Sequence, residues 1–241
     1  MNLVCKGLSL NLIIYFYPMR FYSIVFGFAI LLFSCAPSRV VRPLKKNEKV
    51  ISANLGGPIV AFAGTRIPIP FTSIAYAHGL SNKTSAFGSV HTTSMLFGNF
   101  QTDIGVCHSI WKDDSLRLGL SVNPAINFVF DKWEKQFRFW PQVDLNFYYE
   151  FKPDQNFVYA GITNWIEPSS TRAHQQKQKY AWLPGIQLGY THVKNKWNFT
   201  IEAKWLAPER DNKPNVVDYT GISGKGATGI YFGISRRLVK K

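Results

Sequence analysis

Apolar and polar residues alternate with period two along much of this chain. Between Leu116 and Phe130, Leu116, Leu118, Leu120, Val122, Ile126, Phe128 and Phe130 share one side. Arg117, Gly119, Ser121, Asn123, Ala125 and Asn127 share the other. Successive side chains of a strand point to opposite faces, so this spacing predicts a two-faced β-strand. The next segment repeats it, with Phe137, Phe139, Val143, Leu145, Phe147, Tyr149 and Phe151 set against Arg138, Gln142, Asp144, Asn146 and Glu150. Trp197, Phe199, Ile201, Ala203 and Trp205 likewise oppose Lys196, Asn198, Thr200, Glu202 and Lys204. The pattern predicts about ten strands, over 50–62, 71–80, 85–97, 99–111, 115–130, 137–151, 156–166, 180–192, 195–206 and 226–238. Three of them, 50–62, 85–97 and 156–166, alternate poorly. Most run to about 10–14 residues, longer than ordinary globular strands and enough for a tilted membrane crossing. The expected fold is all-β: one antiparallel up-and-down transmembrane β-barrel over 50–241.

The expected connections divide by length. Ser81–Thr84, Lys112–Asp114, Lys152–Gln155 and Val193–Asn195 are short and rich in turn formers. The opposite rim receives Ala63–Pro70, a tight turn near Gly98-Asn99, Asp131–Gln136, and two long polar loops, Glu167–Lys179 and Ala207–Lys225. Short turns on one rim and long loops on the other suit a membrane barrel. An even strand number returns both termini to the short-turn rim.

Alternation does not by itself say which face points inward. A lipid-facing apolar exterior places Leu120 and Ile201 against the bilayer and Ser121 and Thr200 in a wet lumen. A lipocalin-like barrel would instead bury the apolar face around a ligand. Strand length and the aromatic residues near strand ends (Tyr180, Trp182, Tyr190, Trp197, Trp205) favour lipid, because aromatic girdles mark membrane interfaces.

The start of the chain adds an export signal. Arg20 precedes an apolar run, Phe21–Phe33, that ends in Ser34-Cys35. A basic residue, an apolar core too short to span a bilayer and a small residue before a cleavage point make a signal peptide. Leu32-Phe33-Ser34-Cys35 resembles the bacterial lipobox, and that resemblance implies acylation of Cys35 as the first mature residue. Phe33 departs from the usual small residue. A non-lipidated signal peptide or an uncleaved anchor are the alternatives. The leader is residues 1–35, and Met19-Arg20 makes a more ordinary start than Met1. Residues 36–49, with Arg39, Arg42, Lys45, Lys46 and Lys49, read as a basic flexible tether.

Ile230–Leu238 resembles the closing strand of bacterial outer-membrane proteins, which the barrel-assembly machinery reads, although the chain ends in Lys241 rather than an aromatic. Taken together, leader, pattern and loop layout make the chain similar to a small bacterial outer-membrane β-barrel. The resemblance implies outer-membrane lipids and the assembly machinery as partners, and it includes no active-site motif.

Charge and chemistry refine this only slightly. The formal net charge is +14. The basic residues are scattered without a basic helix or nucleic-acid motif, which argues against nucleic acid and for anionic lipid or lipopolysaccharide. Three cysteines occur, two of them in the leader, so Cys107 has no disulfide partner in the barrel and reads as a small buried residue. No metal or cofactor motif is present, and the expected cofactors are none. Among the five histidines, His108-Ser109 cannot form a nucleophile–base pair, since neighbours on a strand face opposite sides. A lipid-modifying hydrolase or acyltransferase is therefore the lesser alternative to a non-enzymatic barrel. The candidate site is a lumenal polar network of Asp103, Arg117, Arg138, Asp144, Glu150, Glu202 and Lys204, whose mixed charges would pair across a narrow interior.

Overall fold

The computed structural model describes residues 40–171, 177, 180–212 and 217–238. Its elements in chain order are β1 (Lys49–Phe62), β2 (Thr65–Pro68), β3 (Thr72–Gly79), β4 (Thr84–His91), α1 (Thr92–Leu96), β5 (Asn99–Asp113), β6 (Leu118–Asp131), β7 (Gln136–Glu150), β8 (Phe157–Ile166), β9 (Trp182–Lys194), β10 (Trp197–Asp211) and β11 (Lys225–Leu238). Every consecutive pair from β3 to β11 is antiparallel, β1 pairs with β3, and β11 closes onto β1. The result is a closed antiparallel ten-stranded barrel, with β2 forming only a hairpin with β1 above the rim. The closing register runs from Lys49 opposite Leu238 to Pro58 opposite Gly229. Closure leaves no edge among the ten wall strands, so the ladder satisfies the backbone within the wall, as a bilayer demands.

The alternation becomes two surfaces. Leu55, Ile74, Phe100, Ile126, Phe147, Ile162, Leu188, Ile201 and Phe232 are exposed on the outside. Ser85, Asp103, Ser121, Asn127, Asn146, Thr163, Gln187 and Glu202 are buried inside. This is the reverse of a lipocalin-like barrel, which turns its apolar face inward. No helix among the described residues is long and apolar enough to cross a membrane.

Two local differences from the sequence reading have physical causes. Residues 92–96, expected to continue a strand, form the single helical turn α1 at the rim. There Thr72 donates its backbone N–H to Thr93 Oγ1 at 2.8 Å, so side chains replace ladder bonds. Arg117, expected on a strand, sits in the turn before β6 with φ +60°, its carbonyl still accepting from Glu150 N–H at 2.8 Å.

The third difference is the largest. Of residues 40–48, read as part of a free tether, 40–44 lie inside the barrel and 45–48 cross its rim. Val40 packs against Ala77, Phe87 and Cys107, and Val41 against Tyr148, Phe157 and Tyr159. From there the chain descends to the termini-side rim, where Asn47 N–H donates to the Gly79 carbonyl at 2.8 Å before β1 begins. Cys35 and the rest of the leader lie outside the described residues, as do 36–39.

Candidate functional site in the lumen

The lumen is built from the inward residues of all ten strands, and two layers can be distinguished. The layer near the termini is filled by the N-terminal segment. Ser121 Oγ donates to the Val41 carbonyl at 2.6 Å, and Asn123 Nδ2 donates to the Val40 carbonyl. Leu44 N–H donates to Ser85 Oγ at 2.7 Å. Arg42 reaches Glu150 Oε1 at 3.1 Å, and its guanidinium lies 5.1 Å from the Phe157 ring centroid. At the rim Lys45 Nζ stands 2.6 Å from Asp154 Oδ2, and Lys46 N–H donates to Asn82 Oδ1 at 3.0 Å. The Lys45 ammonium holds the Asp154 carboxyl below the ordinary carboxylate range, against partial burial that pushes it up. Residues from six separate turns and strands therefore grip one short segment through its backbone and the side chains of Arg42 and Lys45.

The upper layer contains the polar clusters. His91 Nε2 and the Ser89 hydroxyl both converge on Asp103 Oδ2, the imidazole at 2.8 Å. Asp144 Oδ1 accepts from Thr163 and, at 2.9 Å, from Gln142, whose own carbonyl accepts from Asn127 at 3.1 Å. Glu202 accepts from the Tyr159 hydroxyl and pairs with Lys204 at 3.1 Å, while Lys204 Nζ lies 5.5 Å from the Tyr231 ring centroid. Gln187 Nε2 donates to Asn146 Oδ1. Four of these hydrogen bonds join neighbouring strands and two, Tyr159–Glu202 and Gln187–Asn146, skip one, so they brace the wall and occupy the interior. No group of three or more His, Cys, Asp or Glu positioned to hold a metal ion occurs among the described residues.

Of the seven residues of the expected network, Asp103, Asp144, Glu150, Glu202 and Lys204 are buried in the lumen. They fall into separate clusters. Arg117 is absent from all of them: its guanidinium donates to the Phe151 carbonyl at 2.6 Å and lies 5.5 Å from the Tyr149 ring centroid, outside the wall. Arg138 lies at the far rim, where it donates to the Thr171 carbonyl at 3.3 Å and to Gln136 Oε1 at 3.0 Å. The partner of Glu150 is Arg42, from the stretch that sequence reasoning had placed outside. Ser89 and His91 were missed as a cluster because the residue on which they converge, Asp103, is on the next strand. His78, His108 and His192 share the outward faces of β3, β5 and β9, and His174 lies outside the described residues. Cys107 is fully buried and free.

A closed barrel with an apolar exterior and a filled polar interior has the architecture of a transmembrane β-barrel. No family model matches the chain, and no curated protein matches it. Solved structures similar to it are bacterial outer-membrane proteins. An outer membrane channel from Pseudomonas putida F1 has 6% identity and a TM-score of 0.48, over 84% of this chain and 99% of that one. The translocator domain of the autotransporter NalP from Neisseria meningitidis has 9% identity and a TM-score of 0.42, over 82% and 91%. The outer membrane protein OprG from Pseudomonas aeruginosa has 10% identity and a TM-score of 0.33, over 83% and 100%. Identities and scores this low leave function to be read from this chain's own geometry.

Proposed function

We propose that the protein is an integral outer-membrane barrel, acylated at Cys35, that serves as a closed structural scaffold for surface interaction rather than as a conduit or an enzyme. The observation that carries this reading is the lumen: the chain's own residues 40–44 fill its lower half, and paired polar side chains fill the upper half. A barrel of about ten strands has little interior to spare, and here that interior is occupied. Recognition then falls to the rim opposite the start of β1, where the described segments 167–171, 207–212 and 217–225 stand on the barrel wall. Strand β11 is the element offered to the barrel-assembly machinery.

Membrane fractionation of wild type and a Cys35→Ala variant tests the reading. Both should stay with membranes through high-salt and alkaline washing, since the strands hold the protein there. A clickable fatty acid should label the wild type only. Release of Cys35→Ala as soluble protein would overturn the integral barrel, and equal labelling of both would remove Cys35 as the acylation site.

A further inference from the structure

The two rims differ in charge. On the termini side, segments 45–49, 81–84, 112–117, 151–155, 194–197 and 236–238 carry eleven Lys and Arg against four Asp and Glu. On the opposite side, the described residues of segments 62–71, 131–138, 166–171, 207–212 and 217–225 with Lys177 carry seven against six, and the sequence adds Arg172, Lys179 and Lys213 outside the described residues. The excess on the first rim is also aimed. Arg236 is exposed on the outer face of β11, with its guanidinium 5.3 Å from the ring centroid of Trp197, which is exposed on β10. Arg117 rests in the same way over Tyr149. Lys49 and Lys194 are exposed on the outer faces of β1 and β9, continuing the apolar stripes of Ile51 and Leu188. The four acids of this rim are engaged elsewhere: Asp154 with Lys45, Glu48 with Arg237, Asp114 with Lys112, and Asp113 with the Ser115 and Leu116 backbone N–H groups.

We propose that Lys49, Arg117, Lys194 and Arg236 form a belt that binds the phosphates of anionic glycerophospholipids in the leaflet on the termini side. The inference rests on the membrane-barrel reading above and adds the partner's class and position. A cation held flat on an outward aromatic ring keeps its apolar stem in the acyl region and its charge at headgroup depth. Arginine's planar donors suit a phosphate bidentately. Short turns, with the start of β1 and the end of β11, mark this rim as the periplasmic one. The anionic lipid met there is a glycerophospholipid, whereas lipopolysaccharide belongs to the opposite rim, where the basic excess is smaller.

The test uses the full chain folded into vesicles of mixed phosphatidylethanolamine and phosphatidylglycerol, then extracted for native mass spectrometry. Wild type should retain phosphatidylglycerol in preference to phosphatidylethanolamine. The quadruple variant K49Q/R117Q/K194Q/R236Q should lose that preference by roughly tenfold or more, since each basic residue near an anionic surface contributes separately. K132Q/K135Q/K225Q, on the opposite rim, should keep it. Heat-modifiable migration on semi-native gels reports folding for each protein. A folded quadruple variant with undiminished preference overturns the belt, and so does a preference lost equally in the opposite-rim variant. Tighter capture of purified lipopolysaccharide through these four residues would assign them to the other leaflet and overturn it too. Failure of the wild type itself to insert or to show heat-modifiable migration would instead count against the membrane barrel.

Discussion

Tyr159 lies flat against Gly189 of the adjacent strand, and its hydroxyl ends on Glu202 two strands away. A Cβ built at Gly189 would come within 2.2 Å of the Tyr159 ring, and one at Gly119 within 2.2 Å of Tyr148. Glycine is required at both places by close approach across the ladder, at Gly119↔Tyr148 and Tyr159↔Gly189. Gly189→Ala should therefore swing the ring off its seat and cost about 1–3 kcal/mol, the usual penalty for overpacking. Denaturant titration of the refolded barrel, followed by tryptophan fluorescence, would measure it, and an unchanged midpoint would mean that the seat is slack. The pair beside this seat gives a second prediction. Lys204 and Glu202 are both buried, 3.1 Å apart. Lys204→Met removes the cation beside a buried carboxylate, which costs about 3–5 kcal/mol in comparable interiors. The double variant Glu202→Gln/Lys204→Met should recover much of that loss. No recovery would show that lumen water already screens the pair.

At the scale of elements, the strands were legible because alternation is a strong signal, and nine of the ten expected barrel strands recur within a few residues of their expected bounds. The tenth, 85–97, ends early at His91, where α1 begins. The N-terminal segment was not legible, although its trace was present. The strands that alternated poorly are β1, β4 and β8, and each carries apolar residues on its inner face. Phe87 of β4 faces inward because Val40 covers it, and Phe157 and Tyr159 of β8 face inward because Val41 covers them. On β1, Val60 is covered by Ile69 and Phe71. The broken alternation recorded burial against something inside, and only the three-dimensional arrangement says what. Arg117 and Arg138 misled for a related reason: parity assigns a face but not a height, and both lie at the rims rather than in the lumen.

The same segment yields a prediction about conduction. With residues 40–46 seated, the protein in a planar bilayer should be silent or nearly so. Arg42→Ala combined with Lys45→Ala removes the cations opposite Glu150 and Asp154, and should produce frequent openings. Equal silence in both would mean that the upper layer alone seals the lumen. The Lys45–Asp154 tie also depends on pH. Because the folded-state carboxyl is held below its ordinary value, the tie contributes fully above the ordinary carboxylate range, near pH 4, and is lost as pH falls through the lowered value. Wild type should therefore be quieter than Asp154→Asn at neutral pH and converge with it in acid. A gap that widened on acidification would contradict the sign.

At the scale of the whole molecule, the closed wall, the unequal rims and the inward N-terminal segment set a single orientation. Both ends of the described chain, Val40 in the lumen and Leu238 opposite Lys49, belong to the short-turn half. That rim should face the periplasm, and the α1 and Glu167 rim should face outward. Single cysteines at Glu134 and Ser170, both exposed on the outer rim, should react with an impermeant maleimide on intact cells. Cysteines at Lys152 and Lys196, equally exposed on the other rim, should react only after the outer membrane is permeabilised. Cys107 is fully buried against Val40 and adds no background while the fold is intact. The reverse pattern would invert the molecule, turning the basic belt toward lipopolysaccharide and the long loops toward the periplasm. Reaction at all four positions on intact cells would mean that no bilayer separates the rims, and the apolar exterior would then need another covering.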